Sequence, residues 1–451
     1  MTKKSSIINI DLLLVVIHMA FGFLMLNRTM SKSLNLLLFA VAFISILAKK
    51  NKNQEALYWS AYVVGSEVLF RMSKGLIFYE FPKYMVFIFL FTGLIIEKKR
   101  HEISPVFIIY ILLLLVGIAF TEIPYPESIR TNVIFNLSGP ILLGMCAMYL
   151  YKRELSKETV LKMLKYMGLP IISMVVYIYF KVPDLRDIVF GGVSNRVTSG
   201  GYGPNQVATI LGVGIFIFAV YLIVSKRFSG FFILDVLILI YVSYRTLITL
   251  SRGGLITGIV AITVFVGFYF LSRKNTVFHL FKYFLLLVGA IIPLFLYTAS
   301  ATNGMLINRY TNKNARGVVK QDVSAGRIEI FENELDGFLE NPFFGIGVGT
   351  GKYKRINELG YKVASHNEMS RLLGEHGLIG LLILFLLLLV PIVKMNKQPL
   401  ESRAYLSAFL IFWFLTINHS AMRLAMPAFL YGLAVMTISN KKSITLERIE
   451  S

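Results

Sequence analysis

Asn205-Gln-Val-Ala-Thr-Ile-Leu-Gly-Val-Gly-Ile-Phe-Ile-Phe-Ala-Val-Tyr-Leu-Ile-Val224 contains no charged residue. It matches the roughly 20 apolar residues that carry a helix across a bilayer. Arg196-Val-Thr-Ser-Gly-Gly-Tyr-Gly-Pro204 precedes it, and Ser225-Lys226-Arg227 follows it. A charge-free block with a glycine-rich polar turn at one end and paired cations at the other reads as a membrane span with two unlike faces.

The pattern repeats outward in both directions. The chain has 451 residues, 56% of them hydrophobic, and a mean hydropathy of +0.68. Soluble chains average about 45–50% apolar residues. Hydropathy predicts about fourteen spans, centred near Val16, Val41, Val64, Phe89, Leu113, Leu142, Val175, Ile215, Leu239, Ala261, Leu287, Phe385, Ile411 and Leu433. One bundle is expected, not a string of soluble domains. The expected division is 1–298 for the first eleven spans, 299–376 for one long polar loop, and 377–451 for the last spans and a tail. No small-residue cleavage site follows the first block, so it reads as a retained span. Cys146 lies inside an apolar block and has no second cysteine to pair with.

The net charge of +21 does not point to nucleic acid, because the cations sit between apolar blocks. With Lys3 and Lys4 in the cytoplasm, every second connection carries basic residues. These include Lys49–Lys52, Lys98–Arg100, Lys152–Lys165, Lys226–Arg227, Arg273–Lys274, Lys394–Lys397 and Lys441–Lys442. About 24 Lys and Arg fall on that side and about 12 on the other, as the positive-inside rule requires. Both termini are then cytoplasmic, and the polar stretch Ala299 to His376 lies outside. Long loops usually carry function. Glu154–Tyr166 reads as a short cytoplasmic surface helix with Leu155, Leu161 and Leu164 toward lipid.

The outward face gathers three arginines and a histidine. Arg196 precedes the eighth span. Arg252, in Ser251-Arg252-Gly253-Gly254, opens the tenth. Arg327, in Ser324-Ala-Gly-Arg327, opens an amphipathic helix whose Ile328, Phe331, Leu335 and Phe338 keep helical spacing. A charge near hydrocarbon usually has a partner or a job, and guanidinium grips phosphate with two prongs. The plain alternative for Arg252 is snorkelling to the interface. The eighth and tenth spans point their N-termini outward, where free N–H groups and the helix dipole favour anions. A phosphate or diphosphate site follows from that combination. Ser365 and Glu368 fit a capping box, which puts His366 at the first helical position. The dipole there keeps imidazole neutral and able to accept a proton; a surface histidine at a helix start is the alternative.

Gly345-Ile-Gly347-Val-Gly349-Thr-Gly351 lacks the strand–turn–helix setting of a dinucleotide loop and the Gly-Lys-Ser/Thr of a P-loop. It reads as a flexible turn with exposed N–H groups near the arginines. His366, Glu368, Glu375 and His376 show no recognised metal-ligand spacing. The first outward loop, Asn27 to Ser33, holds no acid. The expectation is a site without metal or other cofactor.

Arg196…Pro204-Asn205, Ser251-Arg252-Gly253-Gly254, Arg327…Asn341-Pro342…Gly345-Ile-Gly347-Val-Gly349 and His366-Asn367…Glu375-His-Gly377-Leu-Ile-Gly380 together resemble the O-antigen ligase and polymerase (Wzy-type) family. The resemblance runs from about Arg196 to Pro391. It implies an all-α polytopic fold of about 12–14 transmembrane helices, related to the GT-C glycosyltransferases, with helices in the long extracytoplasmic loop. It implies an undecaprenyl-diphosphate-linked glycan as donor and a glycan or lipid A–core as acceptor, in the bacterial inner membrane. Arg196 and Arg252, with Arg327 as a third ligand, would hold the diphosphate, and His366 would be the base. A polymerase is favoured slightly over a ligase. The rival reading is a lipid-linked oligosaccharide flippase, which should place its polar groups near mid-membrane.

Overall fold

The computed structural model describes residues 9–97, 102–190, 193–273, 276–322, 324, 326–361 and 363–439. Lys3, Lys4, Lys98, Lys99, Arg100, Lys274, Lys441 and Lys442, on which the expected orientation partly rests, lie outside the described residues. In chain order the helices are α1 (Ile10–Leu24), α2 (Arg28–Lys49), α3 (Glu55–Met72), α4 (Phe81–Ile96), α5 (Pro105–Val116), α6 (Ile129–Leu150), α7 (Lys157–Lys181), α8 (Pro204–Ile223) and α9 (Phe232–Ile248). They continue as α10 (Arg252–Leu271), α11 (Thr276–Ala301), α12 (Met305–Tyr310), α13 (Arg327–Glu340), α14 (Gly351–Leu359), α15 (Glu368–Asn396), α16 (Leu400–His419) and α17 (Ala425–Ala434).

Among the described residues seven of these, α2, α6, α7, α8, α10, α15 and α16, are long and apolar enough to cross a bilayer. The chain is a nearly all-helical, multi-pass membrane protein. Every expected span centre falls in a helix, but α1, α4, α5 and α17 are shorter apolar helices. The helix α17 has 10 residues, about 15 Å at 1.5 Å per residue, against a hydrocarbon core of about 30 Å. All of its residues are buried among neighbouring helices. Hydropathy sees an apolar run there and cannot tell burial in protein from exposure to lipid.

Close packing of small residues sets the centre of the bundle. A Cβ on Gly254 would lie 2.1 Å from the Ala208 carbonyl, and one on Gly212 2.2 Å from the Gly254 carbonyl. These glycines let α8 and α10 touch backbone to backbone, as small residues do between membrane helices. The helix α10 also packs along α16, and a Cβ on Gly253 would meet the His419 ring at 2.5 Å.

The surface helix expected over Glu154–Tyr166 is not formed. Glu154–Ser156 is a strand, β1, paired in parallel with β2 (Thr437–Ser439). The Ser156 side chain then caps α7 by accepting the Thr159 N–H. Leu155 and Leu164 are buried in the bundle, not against lipid. Lys157 pairs with Glu401 and Lys165 with Asp11, partners that a hydropathy window cannot see.

The helix α15 bends at Gly377, where φ is 59° and ψ is −138°. The bend has a hydrogen-bonding cause. The Leu378 N–H donates to the Pro342 carbonyl, and the Gly374 and Glu375 carbonyls accept from Ile346 and Gly347 N–H. The Val348 N–H donates to the Gly117 carbonyl. The Gly345–Gly349 run is thus not an exposed turn offering free amides: its N–H groups bind the bent helix. Its glycines have φ of 73°, 86° and 80°, and a Cβ on Gly347 would lie 2.0 Å from the Phe120 carbonyl. Close approach fixes both the residue type and the conformation.

Candidate functional site

Arg252 is the first residue of α10, just after a turn in which Leu250 takes a φ of 54°. The Ser251 hydroxyl donates to Asn205 Oδ1 at 2.9 Å, tying the start of α10 to the start of α8. Arg252 Nη1 donates to Asn312 Oδ1 at 2.8 Å, and Arg309 Nε donates to the Leu250 carbonyl at 3.0 Å. Arg327 begins α13 after Gly326, whose φ is 76°.

His366 precedes α15 but is not its first helical residue. Asn367 is the cap, its side chain accepting the Met369 and Ser370 N–H groups, and the helix starts at Glu368. The expected Ser365–Glu368 capping box does not form. The Ser365 hydroxyl bonds Asn367, while the Glu368 carboxylate is taken by Arg371. His366 is instead held through its backbone, its carbonyl accepting the Ala421 N–H at 3.1 Å. Its Nδ1 is buried without a hydrogen-bond partner. Burial and the fields of Arg423, Arg327 and His419 push the imidazole down to about 4. At neutral pH the ring is uncharged, the state expected from sequence, but the cause is burial among cations and not a helix dipole.

Arg423, in the turn between α16 and α17, was not singled out by sequence. Its Nη2 donates to the Ser365 carbonyl at 2.9 Å and to the Ala364 carbonyl at 3.4 Å. The segment carrying Arg423 is itself anchored. Arg71 Nη2 donates to the Arg423 carbonyl, and Glu67 Oε2 accepts the Ala425 N–H at 2.7 Å. Arg71 and Glu67 form a buried ion pair, and the Arg71 guanidinium lies 3.8 Å from the centre of the Tyr79 ring.

Arg252, Arg309, Arg327 and Arg423 share one end of the bundle, and each is felt by at least one of the others. Desolvation and repulsion from Arg252 and Arg423 lower Arg327. Desolvation and repulsion from Arg252 and Arg327 lower Arg309. Desolvation, then Arg309 and Arg252, lower Lys320. None of the four arginines forms an ion pair among the described residues. Two neighbouring arginines are matched: Arg355 pairs with Glu334, and Arg371 with Glu368 and Glu375. Cations brought together without counter-carboxylates are poised to take an anion from outside the chain.

Arg196 stands apart. It is exposed, and its guanidinium makes no hydrogen bond or ion pair with a described residue. Its carbonyl holds the turn before α8, accepting the Ser199 and Gly201 N–H groups, and the adjacent Asn195 N–H donates to the Thr249 carbonyl. The local fold thus places its backbone near the start of α10 without engaging its side chain. Glu368 and Glu375 flank Arg371, and the described residues contain no group of three His, Cys, Asp or Glu disposed to hold a metal.

Arg309 and Arg423 are the members that sequence reasoning passed over. Each is a lone cation beside an apolar run, the form that orientation charges also take. Beside the cluster lies a cavity of about 420 Å³, with Ala364, Ser365 and Arg423 in its wall. No curated protein matches the chain. Residues 237–385 match the family described as O-antigen ligase. This segment contains Arg252, Arg309, Arg327 and His366, so the part of the chain that carries them is similar to the O-antigen ligase family.

Proposed function

We propose that the protein transfers or polymerises undecaprenyl-diphosphate-linked glycan units at the extracytoplasmic face of the inner membrane. The observation that carries this reading is a group of four arginines without ion-pair partners among the described residues, two of which, Arg327 and Arg423, act on a half-buried, uncharged histidine. The four guanidinium groups hold the lipid diphosphate in place of a divalent cation. An acceptor hydroxyl gives its proton to His366 as its oxygen bonds the anomeric carbon of the donor sugar. The bond from that carbon to the diphosphate oxygen breaks, and the undecaprenyl diphosphate leaves with the electron pair. Fixed positive groups aimed at the developing charge lower the barrier most.

The depressed His366 also suits this order of events. An empty site keeps the ring a weak base. A bound diphosphate cancels part of the arginine field, and the imidazolium becomes easier to form. Base strength is then supplied where donor is present. Arg196 stays in the proposal as an entry contact for the anion, since it is exposed and its turn touches the α9–α10 junction. A GT-C-like arrangement, cytoplasmic termini and a polymerase more than a ligase complete the reading.

The test is reconstitution. Purified protein in nanodiscs is incubated with lipid-linked repeat units, and the glycans are sized. Longer glycans from wild type and none from a folded His366→Ala support the reading. Full elongation by His366→Ala removes His366 as base, and translocation of the lipid-linked unit without elongation supports a flippase instead.

A further inference from the structure

We propose that the cavity beside His366 is a saccharide site that seats the terminal sugar of the acceptor, an inference that rests on the glycosyl-transfer reading above. The cavity lies between α6, α14, α15 and the turn carrying Arg423. Its volume of about 420 Å³ falls within the roughly 300–1,000 Å³ of small-molecule sites. Arg252, Arg309 and Arg327 do not line it, whereas Ser365 and Arg423 do. Arg423 also acts on both Arg327 and His366. The Ser365–Arg423 wall is therefore shared between the anion site and the cavity, and His366 adjoins that wall through Ser365. A group in the cavity approaches the histidine from a region that Arg252, Arg309 and Arg327 do not line, as a nucleophile must approach a carbon whose leaving group is held by those arginines.

The lining selects a polyhydroxylated ligand over a second phosphate. Its strongest charges cancel internally: Arg371 lies between Glu368 and Glu375, Arg355 is paired with Glu334, and Lys83 with Glu80. Apart from Arg423, which the cavity shares with the anion site, these paired ions and the amides of Asn132 and Asn136 offer many fixed donors and acceptors. Phe135 also lines the cavity and is 41% exposed. Its ring is 6.3 Å from that of Tyr79. An exposed aromatic face beside convergent polar groups fits the apolar C–H face and hydroxyl rim of a sugar ring.

Two variants at exposed positions test this with little risk to folding: Thr131→Trp, which fills the cavity mouth, and Phe135→Ala. In the reconstituted reaction each is expected to raise the acceptor KM by about tenfold or more, with the donor KM unchanged. Independently, lipid-free oligosaccharides released by mild acid from the host's own surface polysaccharide are titrated into the purified protein. Saturation-transfer NMR signals are expected with wild type and lost with Thr131→Trp. Wild-type acceptor KM in both variants, with transfer intact, overturns the cavity assignment and leaves the enzyme reading standing. Saccharide binding by a wild-type protein that transfers nothing keeps the site and removes the enzyme. No saccharide signal with wild type overturns the proposal.

Discussion

Replacing Arg423 by methionine should weaken catalysis in two separable ways. The side chain clamps the segment bearing His366 through two carbonyls, Ser365 at 2.9 Å and Ala364 at 3.4 Å. Hydrogen bonds from a charged group are worth about 1.5–3 kcal/mol. Losing that alignment corresponds to roughly a 10- to 100-fold fall in kcat/KM at about 1.4 kcal/mol per decade. The second effect is electrostatic. Arg423 is the leading charge holding His366 down near 4. Removing a positive neighbour favours the imidazolium, so the His366 pKa rises. Since the base must be unprotonated, activity falls as pH drops through that pKa, and the acid limb of kcat/KM should move to higher pH. Arg423→Lys keeps the charge and loses the fork; it should lose rate while its acid limb stays near the wild-type position. The assay is transfer by purified protein between about pH 3.5 and 8, with kcat/KM reporting the free enzyme. Arg423→Met with kcat/KM near wild type and an unmoved acid limb would refute the clamp and the field together.

Other expectations follow from the same geometry. Arg252→Lys keeps the charge but lacks the planar fork, and its transfer should fall at least about tenfold in the glycan-sizing assay; wild-type turnover would favour simple snorkelling. Gly254→Val forces α8 from α10, because even a Cβ falls 2.1 Å from the Ala208 carbonyl; overpacking costs about 1–3 kcal/mol, visible as a lower Tm in detergent. At the opposite end, Arg153 pairs with Glu97 at 2.8 Å, with both side chains buried. Arg153→Met takes the guanidinium from this carboxylate, leaving it the weaker neutral donors Asn51 and Tyr149, and should cost up to about 3 kcal/mol, lowering the yield of folded protein while the surviving fraction transfers glycan normally.

The membrane helices were legible because a bilayer imposes a length and an apolarity that any hydropathy window detects. What the window missed came from protein–protein burial. The short helix α17 looks like a span because it is apolar, yet it is buried on every side. The start of α7 reads as a surface helix because Leu155, Leu161 and Leu164 are spaced among lysines, whereas Leu155 and Leu164 are buried in the bundle and Lys157 and Lys165 meet acids far along the chain.

The site was legible in part for a related reason. Arg252 and Arg327 stand at helix starts, and helix starts are readable. Arg423 begins no helix and owes its place to the buried Arg71–Glu67 pair of α3, 352 residues away in sequence. His366 was found through a supposed helix cap, yet its character comes from cations at positions 327 and 423. Arg196 was chosen for the span it precedes, and its side chain points to no described partner. The glycine run looked like a loop offering amides; the bend of α15 uses those amides. Local pattern finds residues at element ends, and only the packed chain shows which of them meet.

The account rests on Arg252, Arg309, Arg327 and Arg423 forming one anion site. Equilibrium binding of radiolabelled undecaprenyl diphosphate to purified protein, in EDTA, measures this directly. Wild type should bind it saturably and more tightly than uncharged undecaprenol, with Arg252→Gln and Arg327→Gln each weakening the Kd about tenfold or more, about 1.4 kcal/mol apiece. Equal affinity for the uncharged prenol, or wild-type binding in both variants, would contradict it.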